Sequence, residues 1–442
     1  MNYLKFFVLS VIFSLPNNTS FGQIQTIDTL SLSNYFEELS SNNKFMGSVS
    51  LLANDKIIYS KSFGYSDIES KIKANNTTDY KIGSISKLFT SVLILKAIED
   101  KKLNLDTKLS DFYPKIINAN KITIKSLLNH SSGIYSITDD EDYLDWNTNK
   151  ISEQDVLNKI MIHQSLFEPN SKNEYSNSNY ILLSFILQKI YKTDYAHILE
   201  KNIIKPLKLK NTYFGISKKS KYTTNSYSFE NGWVKQNETH YSVPLGAGAI
   251  ISNSTDLVFF INDLFNLKII NRKSLDTMLT FSNKYGLGIF DMSFENHFGV
   301  GHDGAIDGYK SIVSIFPKEK VSYAVVSNAL NYNINFISST ILNAIFNHTI
   351  EIPSFDEIVF TEKELDKFLG VFSGKGLPFK ITISKENLKL VAQATGQASL
   401  PLDAIQKNVF TFDKAGIKLT FSENGKKVIL TQAGHEIELE KE

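Results

Sequence analysis

Alternating apolar and polar residues predict strands near both ends of the first three quarters of this chain. The alternation covers Phe45–Ala53 and residues 56–65, which Asn54-Asp55 joins as a predicted hairpin turn. It returns at Tyr309–Phe316 and at residues 321–327, on either side of a turn rich in charged residues. We therefore expect two pairs of strands that lie far apart in sequence.

Helical spacing of apolar residues dominates between and around these strands. It predicts helices over residues 28–41 and 334–348, and a mostly helical region over about 100–235 that includes the apolar stretch 180–190. Because strands enclose a helical middle, the sequence predicts an α/β (α+β) fold. We expect an antiparallel sheet flanked by helices, with an all-helical region beside it.

The pattern changes again after Pro353. Short alternating segments follow one another, for example at Ile381 and Ile383, and Asn424-Gly425 predicts a hairpin. These features predict a small C-terminal antiparallel β-barrel or sandwich over residues 360–442.

The N-terminus has the features of a secretion signal. Lys5 precedes an apolar run over residues 6–15, and Ser20 and Gly22 offer small side chains where a signal peptidase cuts. The run is too short to span a bilayer comfortably, and no later segment reaches that length. We expect a signal peptide at 1–22, a hydrolase domain at 23–352 and export to the periplasm or the medium; a buried first strand is the alternative.

Composition excludes several classes of function. The 47 basic and 46 acidic residues give a net charge of +1, so no electrostatic footprint for nucleic acid exists. No cysteine is present, which excludes thiol catalysis, disulfides and thiolate metal sites. The eight histidines show no metal-ligand spacing, so we expect no metal and no cofactor.

Ser84 and Lys87 form the most informative motif. They open a predicted amphipathic helix, so both lie near a helix N-terminus and on one side of it. A hydroxyl beside an amine there can be a nucleophile with its base. The same Ser-x-x-Lys spacing at Ser41 and Ser70 lies in polar, turn-like surroundings and indicates nothing comparable.

Two further motifs follow in order, Tyr175-Ser176-Asn177 and His302-Asp303-Gly304, and residues 123–133, 206–212 and 248–257 add accessory signatures. With these motifs, residues 30–350 resemble the serine β-lactamase and penicillin-binding-protein-like hydrolases. The resemblance is to the type that contains class C β-lactamases, DD-peptidases and esterases.

The resemblance implies a role for each motif residue. Ser84 becomes acylated, and either Lys87, its pKa lowered by burial and nearby positive potential, or Tyr175, a phenol expected to ionise more easily than usual, is the general base. Asn177 is expected to bind Lys87 or the substrate amide. His302 has a site role, as do Gly304, which lets substrate approach the strand, and the oxyanion-hole N–H groups of Ser84 and Ala305.

The third motif narrows the substrate. The resemblance places His302 where class C β-lactamases have lysine, and Asp303 adds a carboxylate that disfavours substrate carboxylates. We therefore expect hydrolysis of amide bonds in small D-amino-acid-type peptides. The alternative is a carboxylesterase or a weak β-lactamase that uses the same site. A non-enzymatic alternative is a catalytically silent protein that binds a peptide or a lipid.

The remaining expectations concern other parts of the chain and its partners. The acidic run 139–142 is expected to be a solvated loop, or else to border the cleft. His130 is expected to make a structural hydrogen bond. We expect the binding partner to be a small-molecule or peptide substrate. The C-terminal β domain is expected to border the cleft and to limit the length of the substrate. The sequence leaves the oligomeric state undetermined.

Overall fold

The protein consists of a β-sheet covered by helices and a separate β-barrel. The computed structural model describes residues 27–215, 224–356, 358–375, 377–432 and 435–442. The predicted signal peptide at 1–22 lies outside these residues. Within them, no helix combines the length and apolar character needed to cross a bilayer.

Helices occupy the middle of the chain and flank the first strands. In the described residues the α-helices are α1 Thr29–Ser41, α2 Ser86–Glu99, α3 Ile124–Leu128, α4 Tyr143–Trp146, α5 Glu153–Met161, α6 Asn177–Tyr191, α7 Tyr195–Leu199, α8 Lys205–Leu207, α9 Ser254–Phe265, α10 Arg272–Met278, α11 Ile334–Ile345 and α12 Glu362–Leu365.

Strands lie on both sides of this helical middle. In the described residues they are β1 Phe45–Ala53, β2 Lys56–Phe63, β3 Tyr65–Asp67, β4 Ile72–Lys73, β5 Tyr80–Lys81, β6 Tyr213–Phe214, β7 Tyr227–Phe229, β8 Trp233–Lys235, β9 Ile250–Ser252, β10 Phe290–Asp291, β11 Val300–Ile306, β12 Tyr309–Phe316, β13 Val321–Leu330, β14 Gly370–Ser373, β15 Ile381–Glu386, β16 Lys389–Ala394, β17 Leu400–Gln406, β18 Val409–Phe412, β19 Ile417–Phe421, β20 Lys427–Gln432 and β21 His435–Lys441.

The main sheet joins the two distant pairs of strands, as predicted. Its order is β10-β11-β12-β13-β1-β2, and the neighbours along this path are antiparallel. Asn54 and Asp55 both have positive φ, 47° and 64°, which is the conformation of a type I′ hairpin turn. The twist of that turn matches the twist of β1 and β2, so this short signal fixes their register.

Both faces of the sheet are covered, which explains why every residue of β1 is buried. One face packs against the helical region that includes α2, α6 and α9, and these elements share the largest apolar cluster. The opposite face packs against α1 and α11 around residues such as Phe36, Val325 and Ile341. The predicted mixed fold is confirmed.

The C-terminal β domain is a closed barrel. In its described residues, β14 to β21 pair in sequence order, and β14 closes on β21 through Phe372 and Lys441. The alternation seen in the sequence points Ile381 and Ile383 into the barrel, while Thr382 between them is exposed. Gly425 takes the predicted turn with φ of 68°. The limits 23–352 and 360–442 stay predictions.

The amphipathic helix predicted after Ser84 is the clearest error. Ser84 lies in a 3₁₀ turn, Gly83–Ile85, and the α-helix begins only at Ser86. Every residue of α2 from Ser86 to Leu95 is buried, so the helix has no polar face over this length. Its polar side chains bond inside the protein instead; the Thr90 hydroxyl, for example, donates to the Gly246 carbonyl at 2.7 Å.

Candidate active site

A short turn holds Ser84 at the end of a strand. Gly83 has φ of 50°, a left-handed conformation that costs a residue with a side chain about 1–2 kcal/mol. Immediately before it, the Ile82 N–H donates to the Ile250 carbonyl at 3.1 Å, and the Ile82 carbonyl accepts from the Ser311 hydroxyl at 2.8 Å. Ile82, which precedes the turn, is thus fixed both to β9 of the small sheet and to β12 of the main sheet.

Strand β11 lies directly against this turn. A Cβ atom on Gly304 would stand 2.1 Å from the Ile82 carbonyl oxygen and 3.1 Å from the Ser84 nitrogen. One on Gly83 would stand 2.8 Å from the Ala305 nitrogen. Only glycine at both positions permits this approach, which brings the main chains of Ser84 and Ala305 together as expected for a two-donor oxyanion hole.

Lys87 is completely buried beside Ser84. Its Nζ lies 2.9 Å from Ser84 Oγ, 2.7 Å from Asn177 Oδ1 and 2.8 Å from the Ala247 carbonyl oxygen. Burial lowers the pKa of Lys87 well below its usual value, because desolvation penalises the ammonium form; the nearby Asp303 carboxylate opposes this shift.

The three contacts of Lys87 have different hydrogen-bonding capacities. The Ala247 carbonyl can only accept, and Asn177 Oδ1 can only accept because its amide nitrogen is directed at Thr138 Oγ1, 2.8 Å away. A neutral amine has two N–H groups and one lone pair. With both N–H groups given to these acceptors, the lone pair of Lys87 is directed at the Ser84 hydroxyl.

Asn177 is the first residue of α6 and lies between Lys87 and the turn at residues 136–138. Its backbone N–H donates to the Ser136 hydroxyl at 3.1 Å. This contact and the bond to Thr138 fix the orientation of the side chain that meets Lys87. The expected bond between Asn177 and Lys87 is therefore present. Thr138 and the Ala247 carbonyl were not predicted, since neither belongs to a motif and a main-chain acceptor has no sequence signal.

Tyr175 completes the group around Ser84. Its hydroxyl interacts with the Ser84 side chain, and Lys87 Nζ lies 4.8 Å from the centre of its ring. Burial raises the pKa of Tyr175, and the nearby Asp303 carboxylate adds to the rise. The expectation that this phenol ionises more easily than usual is wrong, because desolvation outweighs the opposing effect of the Ser84 side chain on its pKa.

His302 is also buried at the site. Its Nδ1 lies 2.6 Å from the carbonyl oxygen of Asp303, which can only accept, so Nδ1 carries the proton and Nε2 is the acceptor. Nε2 is buried and has no partner among the described residues. Desolvation lowers the pKa of His302 to about 4, so the ring is neutral near pH 7.

His130 has the structural role expected of it. It accepts a hydrogen bond from the Ser176 backbone N–H through Nδ1 at 3.1 Å, and its ring packs 4.5 Å from the ring of Tyr175. Both contacts support the segment that carries Tyr175 and Asn177.

Acidic side chains lie near these site residues. The side chain of Asp303 is 64% exposed, and its carboxylate acts electrostatically on Lys87, Tyr175 and His302. The acidic run 139–142 follows Thr138 directly, so its first residue lies beside the turn that contacts Asn177. The alternative in which this run borders the cleft is therefore favoured over a remote solvated loop.

Comparison with known proteins identifies the fold and the family. A model of the β-lactamase family matches residues 33–339. The Staphylococcus aureus (strain MW2) protein named flp is 29% identical over 317 residues, which cover 68% of this chain and 63% of that protein. The chain thus matches less than two thirds of this curated relative's length.

Solved structures show the same fold. The octameric penicillin-binding protein homologue from Pyrococcus abyssi has a TM-score of 0.68 at 22% identity, over 93% of this chain and 100% of that one. A D-stereospecific amidohydrolase from Streptomyces sp. has a TM-score of 0.61 at 24% identity, over 68% of this chain and 94% of that one. At these identities the likeness is one of fold.

Proposed function

Because the chain belongs to the β-lactamase family, we propose that it is a serine hydrolase acting through an acyl-enzyme on Ser84. The observation that carries the proposal is the buried amine of Lys87, 2.9 Å from Ser84 Oγ, with two other acceptors occupying its N–H groups. In this arrangement Lys87 is the general base and Tyr175 remains a neutral phenol.

These residues alone can carry out every proton transfer of the acylation step. The Ser84 proton passes to Lys87 as Oγ forms a bond to the substrate carbonyl carbon, and the resulting oxyanion accepts hydrogen bonds from the N–H groups of Ser84 and Ala305. The Tyr175 hydroxyl then gives its proton to the leaving nitrogen or oxygen, and Lys87 returns a proton to Tyr175. Water then attacks the acyl-enzyme through the same proton transfers in reverse order, which releases the acid and restores the Ser84 hydroxyl.

Amide bonds of small D-amino-acid-type peptides are the proposed substrate class. The exposed carboxylate of Asp303, next to His302 and acting electrostatically on Lys87, favours a substrate with an ammonium group near the scissile bond. The folds of the D-stereospecific amidohydrolase and of the D-amino acid amidase from Ochrobactrum anthropi SV3 are compatible with this choice. The same site also suits a carboxylesterase or a weak β-lactamase, and a silent binding protein is the non-enzymatic alternative.

A panel of four chromogenic substrates separates these functions. We expect Ser84-dependent hydrolysis of D-alanine p-nitroanilide, with slower turnover of the L-isomer and of the cephalosporin nitrocefin. Faster turnover of p-nitrophenyl acetate than of either anilide would favour the esterase. The control is Ser70→Ala, which removes the serine of another Ser-x-x-Lys match. Equal activity of the parent and Ser84→Ala proteins on all four substrates would contradict the proposal.

Export of the protein is also a proposal, motivated by the apolar run at residues 6–15. We expect secretion to remove residues 1–22, so N-terminal sequencing of exported protein should begin at Gln23. A protein retained in the cytoplasm with Met1 intact would contradict export.

A further inference from the structure

Lys81 and Asp307 form an ion pair that joins the two segments of the proposed oxyanion hole. Lys81 lies in β5, three residues before Ser84, and Asp307 follows β11, two residues after Ala305. Lys81 Nζ lies 3.2 Å from Asp307 Oδ2. The pair therefore connects the strand that leads into the Ser84 turn with the strand that supplies the second N–H group.

The other contacts between the Ser84 turn and β11 are packing contacts. Gly83 and Gly304 allow the two main chains to approach closely. In the described part of the chain, no hydrogen bond joins residues 82–85 directly to β11. Packing limits how close the two N–H groups come, but each van der Waals contact attracts only weakly. An ion pair that draws the two segments together therefore has an effect of its own.

Hydrogen bonds hold both charged groups of the pair in place. Lys81 Nζ also lies 2.9 Å from Glu238 Oε2 and 3.0 Å from the Thr239 carbonyl oxygen, so each of its three N–H groups has an acceptor. The Asp307 carboxylate accepts from the Thr239 backbone N–H at 3.1 Å and from the Thr239 hydroxyl at 2.6 Å. Because Thr239 contacts both members of the pair, the place where the two charges meet is fixed.

The pair is also shielded from water. The side chains of Lys81 and Asp307 are only 15% and 5% exposed. Salt and water screen such a pair much less than a surface pair, and separating it would leave a buried charge without its partner. The segments that carry Ser84 and Ala305 therefore resist moving apart.

We propose that Lys81 and Asp307 are positioning residues whose ion pair holds the N–H groups of Ser84 and Ala305 at the spacing at which both reach one oxyanion. They act through the main chain and touch no substrate. This inference rests on the proposed function, and it adds two residues that the three sequence motifs do not contain.

The test compares two esters that differ only in the atom that enters the oxyanion hole. p-Nitrophenyl acetate places an oxygen there, and p-nitrophenyl thionoacetate places a sulfur, which is larger and a weaker hydrogen-bond acceptor. Both react with Ser84 through the same base and the same leaving group. The ratio of their kcat/KM values therefore reports on the oxyanion hole and does not depend on the fraction of folded protein. We expect the parent to favour the oxygen ester by about 100-fold or more.

Breaking the ion pair should reduce this preference. Lys81→Met and Asp307→Asn should each lower the ratio at least about 10-fold, because a misplaced N–H group loses most of its effect on the oxyanion. Asparagine suits the site because it tolerates the φ of 52° found at Asp307. The double variant should lose little more than either single variant, since each already breaks the interaction. Lys81→Arg keeps the charge and should retain most of the ratio.

Asp413→Asn is the matched control, because it breaks another largely buried ion pair, with Lys44, away from the Ser84 turn. It should reduce thermal stability and leave the ratio unchanged. A parent ratio retained in both Lys81→Met and Asp307→Asn overturns the positioning role, even if both variants are less stable. No Ser84-dependent reaction of the parent with either ester would instead overturn the proposed function, and the positioning role with it.

Discussion

At the residue scale, Lys87 decides what the site can do. An ammonium ion buried in a protein loses several kcal/mol of hydration, and only acceptors with strong negative charge could offset that loss. Lys87 has one hydroxyl, one amide oxygen and one carbonyl oxygen, all uncharged. The amine is therefore favoured, and it is the form that can take the proton of Ser84.

Asp303 should influence the pKa of Lys87, the proposed general base. Its carboxylate raises the pKa of Lys87, so Asp303→Asn should lower that pKa further. Because the reaction needs the neutral amine, the acid limb of the pH–rate profile should move to lower pH. The rate of Ser84 labelling by a fluorophosphonate, measured from pH 5 to 10, gives this limb. Asp145→Asn, which removes an exposed carboxylate from α4, should leave it in place; a shift to higher pH in Asp303→Asn would refute the assignment of Lys87 as base.

At the element scale, the position of Ser84 depends on the contact between its turn and β11. The sequence predicted most of the elements involved, because alternating strands and the Asn54-Asp55 turn are local signals. It did not predict that Ser84 precedes the α-helix in a 3₁₀ turn, nor that α2 is buried on all sides. Those features depend on the covering of α2 by distant segments such as α6, which no local pattern contains.

The glycines at this contact supply a test. Gly83→Ala should cost about 1–2 kcal/mol of stability through its positive φ and should lower kcat at least 100-fold, because the new Cβ displaces the Ala305 N–H from the oxyanion. Gly396→Ala is the matched control: its φ is 77°, and no atom lies within 4 Å of the added carbon. It should show the loss of stability on thermal unfolding with unchanged kcat. Equal kcat in both variants would argue against an oxyanion hole built by β11.

At the scale of the whole molecule, the barrel packs against the main domain close to the start of β1 and the end of β13. The sequence predicted a C-terminal β-barrel or sandwich and suggested that it borders the cleft, but it gave no sign of how the two domains meet. The join depends on single contacts between residues distant in sequence, such as Lys44 with Asp413, whose side chains are only 12% and 15% exposed. Lys44 also lies 4.8 Å from the ring centre of Phe355, in the connection between the domains.

Breaking this ion pair should loosen the barrel. In a double-mutant cycle of Lys44→Met and Asp413→Asn, we expect a coupling energy of about 1–2 kcal/mol, because both charges are largely removed from water. The rate of native-state proteolysis within residues 346–361 measures the opening. The exposed pair Lys427–Glu438, at 52% and 57% exposure, is the control and should couple by less than about 0.5 kcal/mol. Coupling no larger than in the control would mean that this pair does not hold the barrel.

Intact-mass spectrometry after reaction with a fluorophosphonate tests the central claim most directly, which is that Ser84 is a nucleophile activated by Lys87. We predict one adduct, mapped by peptide sequencing to Ser84, that is absent in Ser84→Ala, retained in Ser70→Ala and formed at least 100-fold more slowly in Lys87→Met, because general-base catalysis supplies about that factor. No adduct on the folded parent protein, or an adduct that persists in Ser84→Ala, would contradict the role of Ser84 as the nucleophile.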